Sequence, residues 1–210
     1  MGGTRPVAGR RARPWLAVPL LAALLAGCGI RATQVPTDFG PAPSRMPCAL
    51  SGADLATQAA RGVPVQVFLL CASQLVTVDR SVRIPDGTAE RQRRVLVAQG
   101  LLDQLATTPS PAEKQTGYTT DVAGGITVSG PRGRDPEDTF RLSSRLQDLT
   151  SSALAQIVCT FADSEATAAD DGTVVLGGPD DRPLRRYRCT PSVRSHPGAV
   201  APPSTEVTGE

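Results

Sequence analysis

The residues able to do chemistry in this chain are few, with one histidine and five cysteines among 210 residues and 20 side-chain carboxylates. Serine hydrolysis needs a base within hydrogen-bond reach of the hydroxyl, ordinarily a histidine. The single candidate, His196, falls in residues 191–210, whose Pro, Ser, Thr and Gly content predicts disorder, and no Gly-x-Ser-x-Gly elbow accompanies it. The cysteines form no CxxC pair and have no companion histidines, so no zinc site is expected. Asp163, Glu165, Asp170 and Asp171 do not have the spacing of an EF-hand loop. Gly124-Gly125 and Gly177-Gly178 belong to neither phosphate-loop pattern. Asp135, Glu137 and Asp138 stand beside Arg132 and Arg134 in a Gly- and Pro-rich stretch, which reads as a solvated turn of mixed charge. Carboxylate-dependent wall hydrolysis is the distant alternative, because its chemistry depends on a separation in space rather than along the chain. The expectation is a protein that is not an enzyme and holds neither cofactor nor metal.

Two further groups bear on binding. Arg182, Arg185, Arg186 and Arg188 crowd a short apolar-polar alternation, which puts Arg186 and Arg188 on one strand face and Tyr187 and Cys189 on the other. Paired guanidinium groups there could clamp phosphate or carboxylate, as in an anionic wall polymer or a small ligand. The competing reading is an edge strand whose charges discourage aggregation. Gln156 interrupts an apolar run and is expected to bridge backbone groups of a neighbouring strand. Nucleic acid is a poor partner. The 22 basic and 20 acidic residues nearly balance and aromatics make up only 3%, so both a phosphate-binding surface and stacking platforms are lacking.

The N-terminus carries the clearest signal. Arg5, Arg10, Arg11 and Arg13 precede an uncharged apolar run from Trp15 to Ala26. The run is shorter than the roughly 20 residues a membrane-crossing helix needs, and suits a signal-peptide core. It ends in Leu25-Ala26-Gly27-Cys28, which resembles the bacterial lipobox. On that reading residues 1–27 are removed and the Cys28 thiol becomes a diacylglyceryl thioether, anchoring the chain on the outer face of the plasma membrane. Losing four arginines leaves 18 basic against 20 acidic residues. Cys48, Cys71, Cys159 and Cys189 then form an even set outside the reducing cytosol and read as two disulfides. Three connectivities are open, and proximity along the chain favours Cys48–Cys71 with Cys159–Cys189.

These groups must be positioned by elements that the patterning outlines. Residues 28–62, with Pro36, Pro41, Pro43 and Pro47, read as a tether. Residues 63–190 read as one domain. Val65–Cys71 and Gln74–Val82 are predicted strands joined by a short turn, and Thr88–Leu105 is a helix with Val95, Ala98, Leu101, Leu102 and Leu105 on one face. Ile126–Val128 and Thr139–Leu142 follow as strands, Leu149–Phe161 as an Ala-rich helix, and Thr173–Leu176 and Arg186–Cys189 as closing strands. The order ββαββαββ predicts an α+β domain with two helices packed on one sheet.

Several of these segments resemble the GerMN (sporulation and spore-germination) domain. They are Val65–Leu70, Leu75–Arg80, Gly100-Leu101-Leu102, Thr108–Glu113, Gly117–Thr120 and, most closely, the helix segment Ala153-Leu154-Ala155-Gln156-Ile157-Val158. The likeness covers roughly 65–180 and departs after Val128 and at Cys71 and Cys159. Only Lys114 among the basic residues is a lysine, and with the Ala, Gly and Pro bias this fits a GC-rich genome of actinobacterial type. The resemblance implies a membrane-tethered surface lipoprotein without catalytic residues, binding a cell-envelope protein or building an assembly.

Overall fold

The computed structural model describes Cys48 and residues 62–207. Cys28, the expected signal segment 1–27 and nearly all of the expected tether 28–62 lie outside the described residues. Contacts group the described residues into one compact unit.

The fold is α+β, and the described residues form eight strands in two sheets, one three-stranded (β2-β1-β3) and one five-stranded (β4-β5-β6-β7-β8). The expected single sheet is therefore corrected to two. β1 (Val63–Cys71) and β2 (Gln74–Val82) form an antiparallel hairpin paired along its full length. Its two-residue turn, Ala72-Ser73, holds both residues at positive φ (49° and 64°), as a type I′ turn demands. β3 (Tyr118–Thr119) meets β1 only at Leu70 and Cys71, too short for the sequence pattern to announce. Beyond that point a helix takes the place of a strand beside β1, which keeps the two sheets apart.

In the second sheet β4 (Val128–Ser129), β5 (Thr139–Leu142), β6 (Thr173–Gly177), β7 (Leu184–Arg188) and β8 (Ser204–Val207) lie in chain order. β5 and β6 are parallel, joined across a helix, and the other pairs are antiparallel. β6, in the middle, is buried at every position, matching its unbroken apolar run.

Helix α1 (Glu90–Ala106) buries Val97, Ala98, Leu101, Leu102 and Leu105, so Val97 takes the inward place expected of Val95, which is half-buried. Gly100 lets α1 close on β2, for a Cβ there would stand 2.2 Å from Val82 Cγ1. The short helix α2 (Pro111–Gln115) is set by a capping box, Ser110 Oγ accepting from Glu113 N while Glu113 Oε2 accepts from Ser110 N. Helix α3 (Ser151–Asp163) starts at an N-cap in which Thr150 accepts from Ala153 N. Eight of its residues are buried, from Ala153 to Phe161, because the helix runs through the middle of the fold. The main core gathers Val67, Leu69 and Val78 of the first sheet with Phe140, Leu142 and Val174 of the second, around α1 and α3. A second cluster joins Phe68, Leu75, Ala155, Cys159 and Val193.

Residues 191–207, expected to be disordered, are structured. Pro191–Ser195 forms a short helix, α4, whose Val193 is wholly buried in that second cluster, and β8 pairs with β7 from Leu184↔Val207 to Tyr187↔Ser204. Composition missed this because one apolar anchor, Val193, and a disulfide just upstream are enough to hold a polar stretch against the core.

Candidate functional site

Four cysteines pair as Cys48–Cys71 and Cys159–Cys189, with Cα separations of 5.9 and 4.9 Å. The first fastens residue 48 to the end of β1, where Tyr118 Oη donates to the Cys48 carbonyl at 2.9 Å. Burial, reinforced by the charge of Glu113, raises the Tyr118 hydroxyl above its usual pKa, so it stays a donor at neutral pH. The second ties α3 to the residue after β7. Closing spans of 23 and 30 residues, each bridge stabilises by about 3–4 kcal/mol on the chain-entropy account.

Gln156 is wholly buried and does what its place in an apolar helix predicts. Its Nε2 donates to the Phe68 carbonyl (2.9 Å) and its Oε1 accepts from Asp121 N (2.9 Å). One turn further along α3, Thr160 Oγ1 accepts from Phe68 N (3.0 Å). Two side chains of α3 thus satisfy both backbone groups of Phe68, as a neighbouring strand would.

Arg186 and Arg188 share a face of β7, with Tyr187 buried on the other, as alternation requires. Their charges are met there. Arg186 donates to Thr173 Oγ1 (3.0 Å) and Asp138 Oδ2 (3.2 Å), and Arg188 stands 3.8 Å from Asp171 Oδ2. Hydrogen bonds from Thr173, helped by the two arginines, hold the Asp171 carboxyl below the usual range. Two arginines against two carboxylates make a balanced network that staples the 138 and 171 loops to the sheet.

Asp135 is not the solvated loop residue its neighbours suggest. Arg141 grips it in a fork, Nε to Oδ2 at 2.6 Å and Nη2 to Oδ1 at 2.8 Å, with both side chains about a tenth exposed. Arg141 Nη1 also donates to the Gly178 carbonyl at 3.0 Å. The Arg141 hydrogen bonds, then the Arg132 backbone N–H, pull the Asp135 carboxyl below its ordinary value. A second buried pair, Arg80 Nη2 to Glu113 Oε1 at 2.6 Å, locks β2 to α2. Sequence reading passed over both pairs, although Ser110-x-x-Glu113 is a legible capping box. His196 sits after α4 with Ser195 Oγ 3.0 Å from its Nδ1, both on the surface, and no carboxylate is hydrogen-bonded to the ring among the described residues.

A cleft of about 690 Å³ lies between the first half of β1, the start of α1 and the chain leaving α3. Val65 and Val97 line it, with Asp79, Arg93, Asp163 and Glu165 around them. Gln66 Nε2 donates to Asp79 Oδ1 across the hairpin (3.0 Å). Thus, of the four carboxylates whose spacing fits no EF-hand loop, Asp163 and Glu165 are brought to one rim, while Asp170 and Asp171 are not. Among the described residues no three His, Cys, Asp or Glu side chains come together to hold a metal ion, and no helix is long and apolar enough to cross a membrane. No protein-family model, curated protein or solved structure matches this chain.

Proposed function

We propose that this chain is a non-enzymatic lipoprotein, anchored through acylated Cys28 on the outer face of the plasma membrane, whose α+β domain binds a protein partner in the cell envelope. The observation that carries this is the distribution of its five cysteines. Four are consumed in two disulfides, which belong in an oxidising compartment. The fifth, Cys28, follows an apolar run and completes Leu25-Ala26-Gly27-Cys28. The GerMN-like segments point the same way, since such domains are carried on tethered surface proteins. The balanced charges around Arg186 and Arg188 support the partner module over an anion binder.

The test is metabolic labelling with a clickable fatty acid, followed by crosslinking on intact cells and mass spectrometry. The wild type should take up label, stay with membranes and capture a discrete envelope protein, whereas Cys28→Ala should lose the label. Label surviving in Cys28→Ala, or release of soluble wall fragments by the purified protein, would overturn the reading.

A further inference from the structure

We infer that the cleft beside the first half of β1 binds an extended peptide segment carrying a basic side chain, added to β1 as a further strand. With a two-residue turn, Cys71 and Gln74 form a hydrogen-bonded pair, and every second residue back along β1 turns its amide and carbonyl away from β2. Those residues are Leu70, Phe68, Gln66 and Pro64. Leu70 meets Thr119 of β3, and Phe68 is served by Thr160 and Gln156. For Gln66 the described residues provide nothing. β3 has ended, α3 stops at Asp163, and no backbone bond reaches the Gln66 amide or carbonyl from that side. Pro64 has no N–H and presents only its carbonyl.

The edge therefore offers one donor and two acceptors at the spacing of a β ladder, and it opens into a cleft rather than onto packed core. At about 690 Å³ the cleft falls in the range of roughly 300–1,000 Å³ typical of ligand sites. It exceeds what one side chain fills and suits a short extended segment adding to an exposed edge. Charge selects the occupant. Arg80 is matched by Glu113, so the rim sets Asp79, Asp163 and Glu165 against Arg93 alone. The excess is negative, and Asp163 and Glu165 are placed where an incoming lysine or arginine would meet them.

This inference deepens the binding-module part of the proposed function and rests on that part alone. The experiment uses the full chain with both disulfides intact and a fluorescent blocked pentapeptide, Thr-Val-Lys-Val-Thr. Its two controls carry Glu in place of Lys, or an N-methyl group on the central amide. The Lys peptide should bind, and the hydrogen exchange of the segment containing Gln66 should slow. The N-methyl peptide should bind about fivefold more weakly for want of one hydrogen bond. The Asp163→Asn, Glu165→Gln double variant should weaken the Lys peptide by roughly fivefold and narrow its advantage over the Glu peptide. Gln66→Pro removes an N–H that the β1–β2 ladder does not use, and should reproduce the loss seen with the N-methyl peptide. Equal affinity for all three peptides, or no binding of the Lys peptide at millimolar concentration, would overturn the inference. So would full protection of the Gln66 amide in the free chain, because residues 49–61 of the chain itself would then occupy the edge. Peptide affinity does not depend on acylation, so a failed Cys28 label with peptide binding intact refutes only the anchor. An envelope partner crosslinked without any peptide binding refutes only the cleft.

Discussion

Gln156 gives the sharpest test of how the fold is held, because one amide bridges β1 and the chain just beyond β3, where their pairing has ended. Gln156→Leu keeps the volume and the helix but leaves the Phe68 carbonyl and the Asp121 N–H without their partner. A buried polar group stripped of its partner costs about 1–3 kcal/mol. The Phe68 carbonyl is buried and bears the full cost, whereas Asp121 is exposed and its N–H regains some of the loss from water. The expected loss is thus roughly 2–4 kcal/mol, a large share of the ~5–15 kcal/mol that holds a domain of this kind together.

Gln156→Glu separates the two bonds by pH. Its carboxylate still accepts from Asp121 N, but at neutral pH it faces the Phe68 carbonyl with no proton to give. Protonated, it donates as the amide did. Buried without a cation, the introduced carboxyl would have a folded-state pKa above its unfolded value. The variant's deficit should therefore be largest at neutral pH and shrink as pH falls through that raised value, opposite to an ordinary acid-sensitive carboxylate. Urea unfolding of wild type and both variants from about pH 4 to 8 reads this directly. A Gln156→Leu loss below ~1 kcal/mol, or a Gln156→Glu deficit independent of pH, would refute the claim that the amide stands in for a strand.

Asp135→Asn should cost about 3–5 kcal/mol, because it leaves the buried Arg141 guanidinium without its fork partner. As the folded-state carboxyl is depressed, its contribution is complete above the unfolded pKa of about 4 and fades as pH drops toward the folded value. Wild-type urea midpoints should accordingly fall more steeply than those of the Asn variant below about pH 4, and parallel curves would contradict the pairing. Gly100→Ala should destabilise by roughly 1–3 kcal/mol despite the better helix propensity of alanine, since its Cβ meets Val82. Val82→Ala in the same chain should make the two changes less than additive in a thermal melt. Replacing Ala72-Ser73 by Asn-Gly should stabilise by about 1–2 kcal/mol, raising Tm by a few degrees, because the turn holds both residues at positive φ. An unchanged Tm would argue that the flanking ladder, not the turn, sets the hairpin.

What was legible in the sequence follows from the range of each interaction. The long strands, α1 and α3 are written in local periodicity, and both disulfides join segments near in the chain, so proximity favoured the right pairing. Sheet count was not legible, because β1 is interrupted by α3 side chains placed 88 and 92 residues away, and nothing near Phe68 signals that Gln156 and Thr160 will complete it. The order of residues 191–207 was hidden in the same way, since a polar composition says nothing of the Cys159–Cys189 tie or the buried Val193. Asp135 looked solvated among its charged neighbours, yet its partner lies six residues on, in a strand whose four residues are all buried. The cleft belongs to the same class. Its rim joins the first hairpin, α1 and the exit of α3, and its defining feature is a missing partner for Gln66 among the described residues, which only the finished topology can expose. Local pattern specifies the elements here, while the places where one element substitutes for another, or fails to, set which backbone groups of β1 are served and which are left at an edge.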